Sequence, residues 1–392
     1  MPEKASKAVP HTSLSKAALA GCDWFVRSQI VQQPPNWDAN HGRFIYNRHV
    51  PTGVSTMGLV WTQARAVMCL LAAYERTGKR VYLDCAERGI GYALSLQDMD
   101  RRRPLTYGAF HEETVFSPFS YPRDAIEMAD ALLQWHRATG DSEALYRAEL
   151  FFDWFRRNAL TSYPKFGFWA KASVRFDAAP VADRLNRPVA CEMGCITILT
   201  HAYAATGRAR YRTWALKMAE STLNNFFPSA DGPLAEPPKG KDSHHTGRDG
   251  IIYNDDGGTV GLLNAFELSG QARFLDAAVR TADFYCASDR PVPIVSGLGS
   301  IANLLLETYA TTENEKYRTH ALRYLRRLRD CQVKTGPASV RGAFRGEDEG
   351  GAGYVKGADN LDLVTTRVTA YAVLALFKAE GAVWPRGYST RW

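Results

Sequence analysis

Carboxylates are abundant among the side chains of this chain that could do chemistry. Asp124, the pair Asp255 and Asp256, Glu192 and Glu113 are the candidate catalytic groups. Two carboxyls flanking a glycosidic bond suffice to cleave it: one protonates the departing oxygen while the other activates water or attacks. Asp124 stands out among them. It sits in Tyr121-Pro122-Arg123-Asp124-Ala125-Ile126-Glu127-Met128, beside an arginine and an aromatic at the start of an apolar helical stretch, where partial burial tunes a pKa. Asp38, Glu112, Glu347, Asp348, Glu349, Asp359 and Asp362 lie in comparable places, and most such groups are expected to be helix caps or solvated charges.

Around the carboxylates stand groups suited to holding a sugar. Arg43, Arg123 and Arg345 are the candidate forks for a sugar carboxylate. Trp61, Phe110, Trp169 and Tyr253 are the candidate stacking rings, and His111 and His245 the candidate polar contacts. Neither His111-Glu112-Glu113 nor His244-His245 has a partner at metal-ligand spacing. No GxGxxG follows a strand, and no P-loop, GxSxG or HExxH is present, so neither cofactor nor metal is expected.

The 392 residues carry a formal charge of +7, which favours an anionic partner. Nucleic acid fits poorly, because no short basic tract except Arg101-Arg102-Arg103 is interleaved with aromatics and no helix-turn-helix or RNP pattern occurs. An acidic oligosaccharide fits better. No apolar run approaches the roughly 20 residues of a membrane span. The start, Met1-Pro2-Glu3-Lys4, lacks a signal-peptide core, so a cytoplasmic protein with no membrane contact is expected. The 7 cysteines are scattered through apolar stretches and are expected to be reduced. Oligomeric state is not written in the sequence.

The elements that must position these groups follow a degenerate repeat. An apolar helix ends in aromatic-x-x-x-Gly, and an amphipathic helix starts a few residues later. The pattern occurs at Tyr74/Gly78, Tyr203/Gly207, Phe266/Gly270 and Phe377/Gly381, with His136/Gly140 and Tyr309/Glu313 as imperfect copies. Glycine there fits a left-handed helix cap. Inner helices, apolar nearly all round, are predicted at 55–77, 122–139, 189–206, 257–269, 296–312 and 363–380. Two-faced outer helices are predicted at 80–97, 142–160, 209–226, 271–287 and 315–333, with 13–32 supplying the sixth.

The predicted architecture is an all-α, (α/α)6 barrel forming a single domain over residues 1–392. Inner-to-outer turns are short and most outer-to-inner connections long, so the long loops share one rim, where the inner helices begin. That rim collects positive helix ends. Five of its loops carry a glycine followed closely by an aromatic, as in Gly42-Arg43-Phe44, Gly108-Ala109-Phe110, Gly167-Phe168-Trp169 and Gly342-Ala343-Phe344; these rings are either sugar platforms or plugs in the barrel end.

The repeat resembles the six-hairpin glycosidases over nearly the whole chain. The Arg123-Asp124-Ala125-Ile126-Glu127-Met128 stretch is similar to that of their uronate-acting members, the unsaturated glucuronyl and rhamnogalacturonyl hydrolases. That resemblance implies a general acid/base role for Asp124. Those families also place an aspartate near the start of the first inner helix, where this chain reads Val54-Ser55-Thr56-Met57-Gly58. An exo-acting glucuronidase with its second carboxylate elsewhere on the rim fits equally. The stretch Trp61-Thr62-Gln63-Ala64-Arg65 also looks like the N-acylglucosamine 2-epimerases, a less favoured alternative. The main competing reading is a polysaccharide lyase, in which Tyr253 or His245 removes the C5 proton of a uronate. A non-enzymatic helical scaffold is the third class, and long loops confined to one rim argue against it.

Overall fold

The computed structural model describes residues 13–32, 40–177, 189–227, 229–235, 251–252, 258–288, 292, 295–346 and 360–381. Among these, twelve α-helices form two concentric layers. The inner ones are α2 (Val60–Thr77), α4 (Pro122–Thr139), α6 (Cys195–Thr206), α8 (Gly258–Ser269), α10 (Val295–Thr312) and α12 (Thr366–Ala379). The outer ones are α1 (Ser13–Ser28), α3 (Arg80–Ser95), α5 (Ser142–Trp154), α7 (Ala209–Phe226), α9 (Ala272–Ala287) and α11 (Glu315–Asp330). Each inner helix packs on the next and α12 returns to α2, so the ring closes as an (α/α)6 barrel. The N-terminal α1 packs against α12, where the Ser15 amide donates to Glu380 at 2.8 Å.

The repeat sets the turns. Gly78, Gly140, Gly207 and Gly270 all have positive φ, and each amide donates to the carbonyl four residues back at 2.7–2.8 Å. In the fifth copy Glu313 occupies the same conformation at φ 56° and donates to Tyr309 at 2.7 Å; it is the one non-glycine with positive φ among the described residues. Its side chain is exposed, so Glu313→Gly removes only the left-handed strain of a β-carbon and should stabilise the fold by about 1 kcal/mol, read as a rise in the urea midpoint. The aromatics four positions beyond the cap slot, Tyr82, Tyr211, Phe274 and Tyr317, are all buried.

Three predicted helices begin or end differently. Residues 55–57 form β2, paired with β1 (Ile45–His49), and helix starts only after Gly58. The stretch Leu363–Thr365 forms β7, which pairs with the other edge of β1 and ties α12 to the first loop. The helix expected to run to 160 passes into a π-helical turn at Phe155–Ala159 and then into β4 (Leu160–Tyr163), paired with β5 (Gly167–Ala170). In each case β-branched or aromatic residues pair along a loop instead of extending a helix. A further short pair joins β3 (Phe119–Ser120) to β6 (Val174–Arg175).

The glycine-aromatic loops have a structural task. Gln29, Gln97 and Gln332 follow outer helices, and each side-chain amide donates to two carbonyls: that of Gly42, Gly108 or Gly342, and one on the neighbouring outer helix, Cys85, Arg147 or Ala17, at 2.8–3.0 Å. Each glycine has positive φ. A β-carbon there would fall 2.2 Å from the Arg88 carbonyl, 2.6 Å from that of Leu150 or 2.1 Å from that of Ala20. The phenylalanine two residues later is fully buried in all three copies. These loops rivet adjacent outer helices and plug the barrel.

Candidate active site

At the rim where the inner helices begin, α4 presents Asp124 in its first turn, half-buried. The loop before it supplies Glu112, which is almost fully buried. The Glu112 carbonyl accepts from the Val60 amide at 2.9 Å, tying the loop to the start of α2, and its Oε2 accepts from the Tyr121 amide at 3.3 Å. Its other oxygen lies out of solvent and, were both acids ionised, would have no donor among the described residues. Its carboxyl is hydrogen-bonded to that of Asp124, so one proton between the two acids resolves this. Burial first, then the charge of Asp124 and this hydrogen bond, hold Glu112 well above the ordinary carboxylate range, with the Tyr121 amide opposing. The two carboxyl groups thus meet at the mouth, where ionising both is unfavourable.

Because folding raises the Glu112 pKa, the native state binds that proton more tightly than the unfolded chain. The stabilisation is complete below the ordinary carboxyl range and is lost as pH rises from there through the raised native value. Glu112→Gln keeps a permanent donor toward Asp124 and an acceptor for Tyr121. The variant should therefore match wild type in acid and become the more stable of the two as pH rises toward neutrality, a divergence measurable by urea denaturation across pH.

Beneath Asp124 the barrel axis is polar. Glu127, one turn further along α4, accepts from both Arg65 of α2 and Arg123, all three nearly fully buried. Arg65 also lies over the Tyr371 ring of α12 at 5.3 Å. Deeper still, His201 of α6 donates to Asp130 at 2.9 Å. Burial raises the Asp130 pKa, but the charge and hydrogen bond of His201, helped by Gln134 and Arg65, outweigh it and hold the group below its ordinary value. This network joins three inner helices and fixes the wall from which Asp124 projects.

The structure places the other predicted residues unequally. Glu192, buried in the 3-10 turn Ala190–Gly194 that leads into α6, stands beside α4, and the Cys195 thiol feels the charges of Glu192, Arg123, Glu127 and Asp124 together. Trp61 is half-buried at the start of α2, edge-on to Tyr46 at 6.1 Å and beneath the Arg367 guanidinium at 5.7 Å. His111 is half-buried and donates from Nδ1 to the Ser117 carbonyl at 2.7 Å, bracing the loop that carries Glu112. Glu113 is exposed, and its carbonyl accepts from the Tyr92 hydroxyl at 2.7 Å. Arg345 is half-buried on the rim and donates to the Leu361 carbonyl at 3.2 Å.

Four expectations are corrected. Arg43 is buried, donates to the Gly58 carbonyl at 2.7 and 3.0 Å and to Asn40 at 3.0 Å, and lies over Tyr92: it clamps the first loop. Arg123 is buried against Glu127 and donates to the Cys191 carbonyl at 3.0 Å, in a space that exists because residue 194 is glycine. Phe110 is a rivet ring packed on Phe151 with no exposed surface. Trp169 is equally buried, stacked on Phe226 and donating to the Val189 carbonyl at 3.2 Å. His245, Tyr253, Asp255 and Asp256 lie outside the described residues, as do Asp38, Glu347, Asp348, Glu349 and Asp359.

The sequence reading missed the partnership of Glu112 with Asp124. A signal for it existed in the short interval between the two acids on either side of a turn. No disulfide joins the described cysteines, and among the described residues no cluster of three potential metal ligands occurs and no helix is long and apolar enough to cross a membrane.

No protein-family profile matches the sequence, and a comparison with curated protein sequences finds no match. Solved structures do superpose on it. An unsaturated glucuronyl hydrolase specific for heparin aligns at TM-score 0.68 and 15% identity, over 94% of this chain and 97% of that one. The unsaturated glucuronyl hydrolase of Bacillus sp. GL1, which degrades glycosaminoglycan, aligns at 0.67 and 17% over the same shares, 94% and 97%. The GH76A alpha-1,6-mannanase of Salegentibacter sp. HEL1_6 aligns at 0.65 and 14%, over 94% and 99%. The chain thus shares the (α/α)6 toroid fold of these structures.

Proposed function

We propose that this chain is a glycoside hydrolase acting from the end of uronic-acid-containing oligosaccharides, with Asp124 exchanging the proton at the reacting oxygen. The observation that carries the reading is the Asp124–Glu112 pair at the start of α4. Asp124 meets the mouth as a charged oxygen able to take a proton from water, and the Glu112 hydroxyl steadies that charge. Glu112 is a positioning residue here. Two acids in direct hydrogen bond cannot straddle a glycosidic bond, which requires carboxyls about 5–5.5 Å apart for retention or about 6.5–9.5 Å for inversion. The second working carboxyl therefore comes from another wall. Glu192, at the start of the adjacent inner helix, is one candidate, and Asp255 or Asp256 the other.

An acidic substrate is supported by the positive ends of six inner helices at the rim, by Arg345 there, and by the shared fold with two glucuronyl hydrolases. A neutral hexose chain is the second reading, favoured by one observation: Arg43 and Arg123, two of the three expected carboxylate forks, are occupied by protein groups. The shared fold with a mannanase agrees with it. Incubation with oligogalacturonides or heparin-derived oligosaccharides and, separately, with alpha-1,6-mannotriose separates the readings. New reducing ends from the acidic chains alone are expected, released singly from one terminus. Release from mannotriose alone selects the second reading, and conjugated-uronate absorbance without added water would replace hydrolysis by β-elimination.

A further inference from the structure

On the outer layer a cleft of about 540 Å³ is lined by α1, the end of α11 and the loop that follows it, and includes none of the residues around Asp124. Five cationic side chains line it, Lys16 and Arg27 of α1, Arg329 of α11, and Lys334 and Arg341 of the loop that follows, against a single carboxylate, Asp23. Asp23 is engaged by the Tyr82 hydroxyl at 2.7 Å. Arg27 donates to the carbonyls of Ala338 at 3.0 Å and Arg341 at 2.5 Å, and Arg329 reaches the Ser13 hydroxyl at 3.5 Å. These partners are neutral, so they orient the guanidinium groups without cancelling their charge. Among the described residues none of the five cations belongs to an ion pair. Elsewhere on the outer wall arginines are paired between elements, Arg208 with Glu149, Arg210 with Asp153 and Arg273 with Glu220.

We propose that this cleft is a second binding site, for an acidic oligosaccharide bearing carboxylates or sulfates along its length. Like charges gathered on one concave surface raise the local potential and favour a polyanion. Lys16 and Arg27 lie about 16 Å apart along the helix axis, a span that matches several anionic sugar units and exceeds that of a single small anion. Nucleic acid is disfavoured because no aromatic ring lines the cleft to stack a base. A lipid surface is disfavoured because none of the exposed large hydrophobic side chains lines it. The inference does not depend on the hydrolase reading, since occupancy of the cleft requires no reaction.

The test is calorimetric titration of the full chain with hexagalacturonate and with a heparin hexasaccharide. One or both should bind, weakening as salt rises, and the Lys16→Ala/Lys334→Ala/Arg341→Ala variant should lose that binding event by about tenfold or more at low salt. All three side chains are exposed, so the variant should unfold at the same denaturant midpoint as wild type. Asp124→Asn should retain the event, which separates this site from the mouth. Failure of both acidic chains to bind, an unchanged isotherm in the triple variant, or equal binding of maltohexaose, inorganic phosphate or single-stranded DNA would each overturn the proposal.

Discussion

Replacing Asp124 with Asn should lower kcat on the cleaved oligosaccharide by about 10²–10⁴ while KM moves far less. Asparagine matches aspartate in size and still accepts from Glu112, so the loop and the start of α4 keep their geometry. What disappears is the charge that accepts a proton. Removing it also frees Glu112 from the neighbour that raises its pKa, leaving burial as the main cause of elevation. The companion variant Glu112→Gln should behave differently: it leaves Asp124 charged and hydrogen-bonded, so activity persists, and the change appears in the pH profile, because the proton the pair shared can no longer leave. A near-normal kcat for Asp124→Asn with the true substrate would exclude this residue from proton transfer and turn attention to Glu192 and the exposed Glu113.

The toroid was readable because its signals are local and repeated. A left-handed cap four residues after an aromatic, and apolar patterning that alternates between all-round and one-sided, recur around the ring, so errors at single boundaries did not disturb the architecture. Ring closure by the N-terminal helix followed from counting five outer helices for six inner ones. The site was less readable for three physical reasons. Whether a rim aromatic faces sugar or core depends on the twist of a few loop residues, and Phe110 and Trp169 turned inward once their loops were fixed by the Gln97 amide and the β4–β5 hairpin. Whether an arginine is available to a substrate depends on its partners in space. Arg123 lies one helical turn from Glu127, which the spacing suggested, but the competing pull of Arg65 from another helix was not visible. The Glu112–Asp124 pair rests on a loop closing through a backbone amide, which no periodicity records.

Glu127→Ala is expected to cost about 3–5 kcal/mol of folding stability. Glu127 accepts from both Arg65 and Arg123, and both guanidinium groups are about 5% exposed. Truncating it removes the carboxylate that the two buried cations share, inside the barrel, where water cannot readily take its place. Arginine does not shed its proton to relieve the strain. Glu127→Gln should lose less than Ala, because its oxygen still accepts from one arginine, and the triple variant Glu127→Leu/Arg65→Met/Arg123→Met should recover much of the loss by replacing all three charges with apolar volume. Chemical denaturation of the three variants checks this order. If Glu127→Ala unfolds within about 1 kcal/mol of wild type, water must reach the barrel axis, and the wall behind Asp124 is then solvated and not a dry scaffold.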